Sequence, residues 1–468
     1  MKNYNSLILL FVALACTNQV DKKVNKELAD RIAKNEYFPF VKSKALEVMK
    51  TGFNAGDGYR EVWIRDYNTF IELAAQVNDK SVLKENLLVF FRMQGEDGNI
   101  SDGFTPIEKI DKDETDFSFS KLESRYAAHK NTVETDQESS LVQAVYKYIQ
   151  LTGDTSILAE NIGDKTVTQR LEWSMDFLMQ NRFNKKYGLI IGATTADWGD
   201  VQPEHCWGVD LNNNTHESID IYDNAMFIAA LDNMIQIIPK TKAKWASIKK
   251  SIALNARKYL WDNKKQKFIP HIYLEKGSPF PDDFDENEIY YFGGTAVAIE
   301  AGLLTRKEIK ISLDEMVKRV KKAGAGSIGL TLYPPYPEGY FANKIMNPVY
   351  SYQNGGDWTW FGARMIQQLI RYGFMQEAYD QIQPMVKRVV DNNGFFEWYS
   401  VDNKPRGSGT FRGEAGVLYT TIVMFEKATK QTLRNCSISI IKVKVGKNEK
   451  NSYSFLSGNN SGLSFRRE

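Results

Sequence analysis

Cysteine is scarce in this 468-residue chain. The three residues Cys16, Cys206 and Cys436 are too few and too far apart for a disulfide framework. Histidine is scarcer in proportion, with four scattered residues, and His205-Cys206 has no second pair with which to hold a metal. Neither sign of charge dominates: 60 Lys+Arg stand against 58 Asp+Glu, and no basic block marks a nucleic-acid surface. No apolar run reaches the length of a transmembrane span. A Gly-x-x-x-x-Gly-Lys-Ser/Thr phosphate loop and a Gly-x-Ser-x-Gly nucleophile elbow are both absent, which argues against P-loop nucleotide chemistry and serine-hydrolase chemistry. With only 13 Pro, long stretches between glycine-rich loops are left uninterrupted. What the chain does have is 43% hydrophobic residues, enough for a large core, and 12% aromatics including nine Trp.

Lys2, the apolar run Leu7 to Ala15, and then Cys16 read as a lipoprotein-type signal peptide over residues 1–16, with Cys16 as the lipidation site. Residues 17–35 are polar and Lys/Asp-rich and are expected to form a tether or a first solvated helix. From 36 to 430 there is no linker or composition break, so one domain is expected. Leu141, Ala144, Val145, Tyr148 and Ile149 keep helical spacing up to the stop signal Thr152-Gly153-Asp154. Ile219, Tyr222, Met226, Ala229 and Ala230 repeat the pattern, as do Trp360, Met365, Leu369 and Ile370. Ile366 falls beside that last stripe, which predicts a helix buried on more than one side and hence concentric helix layers. Residues 431–468, with a strand-like Ile438 to Val445 and an Asn/Ser/Gly-rich end, read as a weakly structured tail.

Six of the Trp (63, 198, 207, 358, 360 and 398) fall in loops that also carry carboxylates, whereas Trp173, Trp245 and Trp261 fall in helical context and read as core. Sugars present hydroxyls to charged acceptors and C–H faces to aromatic rings, so this mixture suits a carbohydrate site. The first such loop ends Trp63-Ile64-Arg65-Asp66, with Arg65 and Asp66 as candidates for sugar hydroxyls and Trp63 for stacking. In the second, Asp197 and Asp200 flank Trp198-Gly199; a carboxyl against an indole is partly desolvated and suited to giving a proton to a leaving oxygen. The third is Asn354-Gly355-Gly356-Asp357-Trp358. The fourth, Phe395-Phe396-Glu397-Trp398-Tyr399, sets Glu397 among four aromatics, and Glu414 follows just before a helix.

Taken in this order, the loops resemble the helical-barrel glycosidases: amylo-α-1,6-glucosidase (glycogen-debranching type), processing α-glucosidase, trehalase, glucoamylase and neutral invertase. Trp63-Ile64-Arg65-Asp66 looks like their substrate-binding Trp-x-Arg-Asp loop, and Glu134-Thr135-Asp136-Gln137 is similar to a stretch they share. Asp197-Trp198-Gly199-Asp200 resembles the element supplying the general acid, Asn354 to Trp358 the late Gly-x-x-Trp loop, and Glu397-Trp398-Tyr399 the Glu-x-Tyr supplying the general base. The processing-glucosidase type draws its acid from a Glu-Ser-x-x-Asp segment, for which the one-residue-shorter Glu217-Ser218-Ile219-Asp220 nominates Asp220; Asp220 is expected one or two residues into an apolar-periodic helix, so it ranks third after Asp200 and Asp197.

The resemblance implies an all-α (α/α)6 barrel, inversion of configuration and no cofactor. Asp200 would be the acid, Glu397 the base, and Trp63, Arg65, Asp66, Trp198, Asn354, Asp357, Trp358 and Trp398 the substrate-binding residues. The expected activity is hydrolysis of an α-glucoside or related α-linked glycan by an exported, monomeric lipoprotein of the periplasm or cell surface. Its substrate would be an oligo- or polysaccharide, and its membrane contact the lipid alone. The alternatives are a fructoside, an α-mannoside or a phosphorolytic reaction on the same barrel, and a non-catalytic glycan-binding lipoprotein.

Overall fold

The computed structural model describes residues 26–430 except 112, 113, 115, 130, 131, 207 and 208. Cys16 with its signal peptide, Trp207, Cys436 and the tail from 431 lie outside the described residues. Two compact units divide the chain, Glu36–Val423 and a smaller one to which 26–35 and 424–430 belong. Within the smaller unit, part of the stretch expected to be a tether or a first solvated helix is a helix, α1 (Lys26–Ala33), with Leu28, Ala29 and Ile32 buried.

The large unit is built from helices that alternate in character. α2 (Tyr37–Met49), α4 (Lys80–Arg92), α6 (Val167–Asn181), α8 (Lys242–Tyr259), α10 (Arg306–Ala323) and α12 (Met375–Asn392) each keep a solvent-facing side. In α8, for example, only Trp245, Ile252 and Ala256 are buried. The helices between them are α3 (Ile64–Ala74), α5 (Gln137–Thr152), α7 (Ile221–Ile237), α9 (Phe292–Glu300), α11 (Thr359–Arg371) and a last helix, α13, of which 412–423 belong to this unit. These are buried nearly all round: every residue of α11 except Arg371 is inside. A helix apolar on all sides needs neighbours on all sides. α3, α5, α7, α9 and α11 accordingly pack on one another in chain order. α13 continues the ring, since Gln367 of α11 donates to Val417 O (3.3 Å) and Thr421 Oγ1 (3.1 Å). It then meets α3, where a Cβ on Gly416 would lie 2.5 Å from Phe70 Cα; only glycine permits that approach. The outer helices alternate with the inner ones, and α12 packs on α2. Six inner and six outer helices make an (α/α)6 barrel, as the doubly buried α11 pattern predicts.

Local signals set the boundaries. α5 stops at Gly153, which adopts φ +69° at the helix C-terminus. α6 and α10 open on capping boxes, Thr166/Gln169 and Thr305/Glu308. Sheet is minor. Its largest piece, in the order β1 (Val62–Trp63), β2 (Gly103–Pro106), β4 (Glu123–His129), β3 (Ser118–Ser120), is antiparallel and lies in the connections flanking α3 and α4. No helix among the described residues is long and apolar enough to cross a membrane.

Candidate active site

The loops that precede α3, α7, α11 and α13 converge at the N-terminal ends of these inner helices. They surround a cavity of ≈ 450 Å³ that Tyr59, Trp63, Arg65, Asp66, Trp198, Asp200, Trp358, Trp360, Glu397 and Phe411 line. Trp63 caps α3, Trp358 caps α11 and Phe411 stands before α13, so each helix start delivers an aromatic ring to the site. Trp198 forms the centre of the floor, stacked on Phe361 at 4.3 Å and edge-on to Trp358 at 4.9 Å. Trp358 Nε1 donates to Tyr352 O (3.0 Å) and Trp360 Nε1 to Thr69 Oγ1 (2.8 Å), which fixes both rings.

Glu397 is 5% exposed. Its Oε1 accepts from Tyr59 Oη at 2.8 Å and its Oε2 from Ser408 N at 3.2 Å. Burial pushes its carboxyl up, these two donors pull it down, and the charges of Asp200 and Asp57 push it up again. Asp200 therefore acts electrically on Glu397, although the two come from loops far apart in sequence. Asp200 N donates to Gln353 Oε1 at 3.3 Å. Asp66, 6% exposed, is raised to about 8, mainly by burial and then by Glu397, Asp102 and Asp200, with Arg65 opposing. Its Oδ1 is buried without a hydrogen-bond partner among the described residues, as is Glu134 Oε1. Orphaned acceptors at a cavity wall suit hydroxyl donors from a ligand.

Tyr59 was not visible as a site residue in the sequence. The signal was its place in the same Gly-rich loop, four positions before Trp63. A clamp holds it against Glu397: Asp57 Oδ1 accepts from Ser408 Oγ, from Thr410 N (2.9 Å) and from Thr410 Oγ1 (2.8 Å). Arg412 adds contacts to Asn54 O (2.6 Å) and Thr51 Oγ1 (2.5 Å). The start and the end of the barrel are thus pinned together where Tyr59 meets Glu397.

Several expected site residues turn out to be held elsewhere. Arg65 lines the cavity, but its guanidinium is engaged by Glu134, by Asp136 Oδ2 (Nε donating, 2.8 Å) and by Trp198 O (3.3 Å); it ties three loops together. Tyr222 Oη adds a hydrogen bond to Asp136 at 2.6 Å. Asp197 is off the cavity, its two oxygens accepting from Gly293 N (2.6 Å) and Gly294 N (2.7 Å) at the start of α9. Burial raises it to about 8 against the pull of those donors. Asp220 is the N-cap of α7, accepting from Asp223 N at 2.9 Å, and burial with the Asp223 charge raises it far above the usual carboxylate range. A capping residue lies outside its helix, so the expectation that Asp220 sits within the apolar-periodic run is corrected. Asp357, fully buried, takes Arg388 Nη1 (2.9 Å) and Nη2 (2.5 Å) together with Ser327 N and Oγ. Asn354 bridges Tyr336 N (2.8 Å) and O (3.0 Å). Trp398 stands behind Tyr352, at 6.3 Å between ring centres, and does not line the cavity. Asp357 and Asn354 are thus occupied by partners that the sequence does not disclose, and Trp398 is not among the lining residues.

Residues 18–399, which include both Asp200 and Glu397, match the glycosyl hydrolase 94 superfamily catalytic domain. The chain belongs to the glycosyl hydrolase 94 superfamily. No curated protein sequence matches it. Solved structures similar to this glycosyl hydrolase 94 domain share the helical barrel at low identity. A GH63 mannosylglycerate hydrolase from Thermus thermophilus, in complex with glucose, is 14% identical with a TM-score of 0.57, over 81% of this chain and 99% of that one. A rhamnosidase from Klebsiella oxytoca with rhamnose bound is 14% identical with a TM-score of 0.55, over 82% of this chain. This chain spans 63% of that rhamnosidase, and only 34% of a GH78 family rhamnosidase from a Bacillus species that is 12% identical with a TM-score of 0.54.

Proposed function

We propose that the protein is an inverting glycoside hydrolase acting on an α-glucoside or related α-linked glycan, with Asp200 as general acid and Glu397 as general base. The observation that carries the reading is that Asp200 and Glu397 line one cavity with Asp66 and four tryptophan rings, those of Trp63, Trp198, Trp358 and Trp360. Asp200 would protonate the leaving oxygen as the C1–O bond breaks. Glu397 would take a proton from a water that attacks C1 from the opposite face, so that oxygen inverts the anomeric centre. Asp66 Oδ1 and Glu134 Oε1 supply acceptors for sugar hydroxyls, and Trp63 offers a ring for a C–H face.

Charge favours water over phosphate as the acceptor. The cavity lining holds eight carboxyl side chains, of Glu61, Asp66, Asp102, Glu114, Asp116, Glu134, Asp200 and Glu397. It holds two arginines, and both are committed: Arg60 to Glu114 (3.0 Å) and Arg65 to Glu134 and Asp136. A phosphate dianion wants a free guanidinium fork and would meet like charge instead. The lipid attachment at Cys16 and a place in the periplasm or on the cell surface belong to the same proposal.

The test is a panel of α- and β-glycosides of several sugars, assayed with and without inorganic phosphate, with the first-formed anomer read by NMR. Phosphate-independent release of the inverted anomer supports the reading. Release of sugar 1-phosphate, retention of configuration, or binding without turnover contradicts it.

A further inference from the structure

Beside the loop that carries Asp200 lies a buried polar cluster that the reaction itself does not use. Glu286 Oε1 accepts from Tyr336 Oη (2.6 Å), and His271 Nδ1 lies 2.9 Å from the same oxygen. Glu286 Oε2 accepts from Tyr273 Oη at 2.7 Å. Tyr336 Oη is 2.5 Å from Tyr291 Oη, and Tyr291 Oη donates to Thr195 O at 3.1 Å. None of Glu286, Tyr291 and Tyr336 lines the cavity. Both tyrosines are buried in one apolar cluster with Ala196, Phe280 and Leu332. Phenylalanine would fill the same space, so packing alone does not require the hydroxyls. Their visible work is to reach the backbone of the acid loop.

Beyond the contacts of Trp198 and of the Asp200 amide, that loop is held at Thr195 and Asp197. Asp197 adopts φ +60°, the left-handed region that most non-glycine residues avoid and that Asp tolerates better than most. Thr195 Oγ1 donates to Asp197 O (3.1 Å) and Gly199 N to Ala196 O (3.1 Å), which makes a tight turn ending at Asp200. Two anchors come from the segment leading into α9: Tyr291 on Thr195 O, and the amides of Gly293 and Gly294 on the Asp197 carboxylate.

We propose that Tyr291, set in place by Tyr336 and Glu286, is a positioning residue for Asp200: it anchors the acid loop at Thr195 so that the carboxyl meets the leaving oxygen. Tyr336 donates its hydroxyl to Glu286, which leaves the Tyr336 oxygen as an acceptor facing Tyr291, so the one Tyr291 proton is shared between that oxygen and the Thr195 carbonyl. This inference rests on the reading of Asp200 as the acid.

Leaving-group dependence separates positioning of the acid from general loosening of the fold. An alkyl or phenyl glycoside needs a proton on its leaving oxygen, whereas the fluoride of the same sugar needs little. Turnover of both substrates is compared for the wild type, Asp200→Asn, Tyr291→Phe and Glu286→Gln, with a thermal melt of each. Asp200→Asn is expected to lose far more on the glycoside than on the fluoride. Tyr291→Phe is expected to lose roughly ten- to a hundredfold on the glycoside, the scale of a misplaced catalytic group, and much less on the fluoride. Glu286→Gln, which keeps the shape of the cluster, should repeat the pattern at smaller size and carries the test if Tyr291→Phe does not fold. Equal losses on both substrates in the folded variants overturn the positioning role while leaving Asp200 intact. A uniform loss in Asp200→Asn itself overturns the acid assignment instead.

Discussion

Replacing Tyr59 by Phe removes one hydroxyl and with it the 2.8 Å hydrogen bond to Glu397 Oε1. Burial and the Glu397 charge both raise the phenol, so the proton stays on Tyr59 and the bond is from a neutral donor to a carboxylate. Such a bond stabilises the ionised form by about 1.5–3 kcal/mol. The other donor, Ser408 N, is at 3.2 Å and stays in place. One pKa unit corresponds to about 1.4 kcal/mol, so Tyr59→Phe should raise the Glu397 carboxyl by roughly one to two units above an already raised value. Asp200 and Asp57 push the same carboxyl in the same direction. A general base works only when ionised. The acid limb of kcat/KM against pH should therefore move to higher pH by that amount, with activity above the new limb reduced far less than activity below it. The assay is a pH–rate profile of wild type and Tyr59→Phe on the best substrate of the panel, with Glu397→Gln as the baseline. An acid limb that stays in place, or moves to lower pH, refutes the argument that Tyr59 keeps the base ionised.

Three further outcomes follow from the packing and the N-terminal reading. Arg388→Leu leaves Asp357 as an uncompensated buried carboxylate and should cost about 3–5 kcal/mol in a denaturant titration; a change within error would mean that the pair is not the clamp described. Gly416→Ala pushes a methyl group against Phe70 at the closure of the inner ring and should cost about 1–3 kcal/mol by the same measurement. Full stability there would show that the two helices can part without penalty. Cys16→Ser should move the protein from the detergent phase to the aqueous phase after membrane extraction, and retention in the detergent phase sinks the lipid anchor.

The barrel was legible in the sequence because inner and outer helices differ in a property each helix carries by itself. Ile366 beside the Trp360–Met365–Leu369 stripe already marks α11 as buried on two sides, and Gly153 ends α5 where the chain says it should. The site was legible more coarsely. Loops mixing Trp with carboxylates do surround the cavity, yet within each loop the sequence does not say which side chain faces inward. Asp197 and Asp200 are three residues apart; a positive φ at Asp197 and two amides from α9 turn one away and leave the other on the wall. Asp357 looked like a ligand for hydroxyls because its partner, Arg388, lies on α12 and is brought to it only by the barrel. Arg65 does line the cavity, but its partners Glu134 and Asp136, which come from the loop before α5, could not be read from its own loop. Tyr59 was missed because a tyrosine in a glycine-rich loop carries no signal until the end of the barrel folds back upon its beginning.

The central claim is that Asp200 gives the proton and Glu397 activates the water. Hydrolysis of a glycoside and of the matching glycosyl fluoride by Asp200→Asn and Glu397→Gln tests it most directly. Each variant should lose about 10²–10⁴-fold in kcat on the glycoside. The fluoride should restore much of the rate to Asp200→Asn, because fluoride leaves without protonation, and none to Glu397→Gln, because water must still be deprotonated. Rescue of Glu397→Gln with no rescue of Asp200→Asn, or full activity in either variant on the glycoside, would contradict the account.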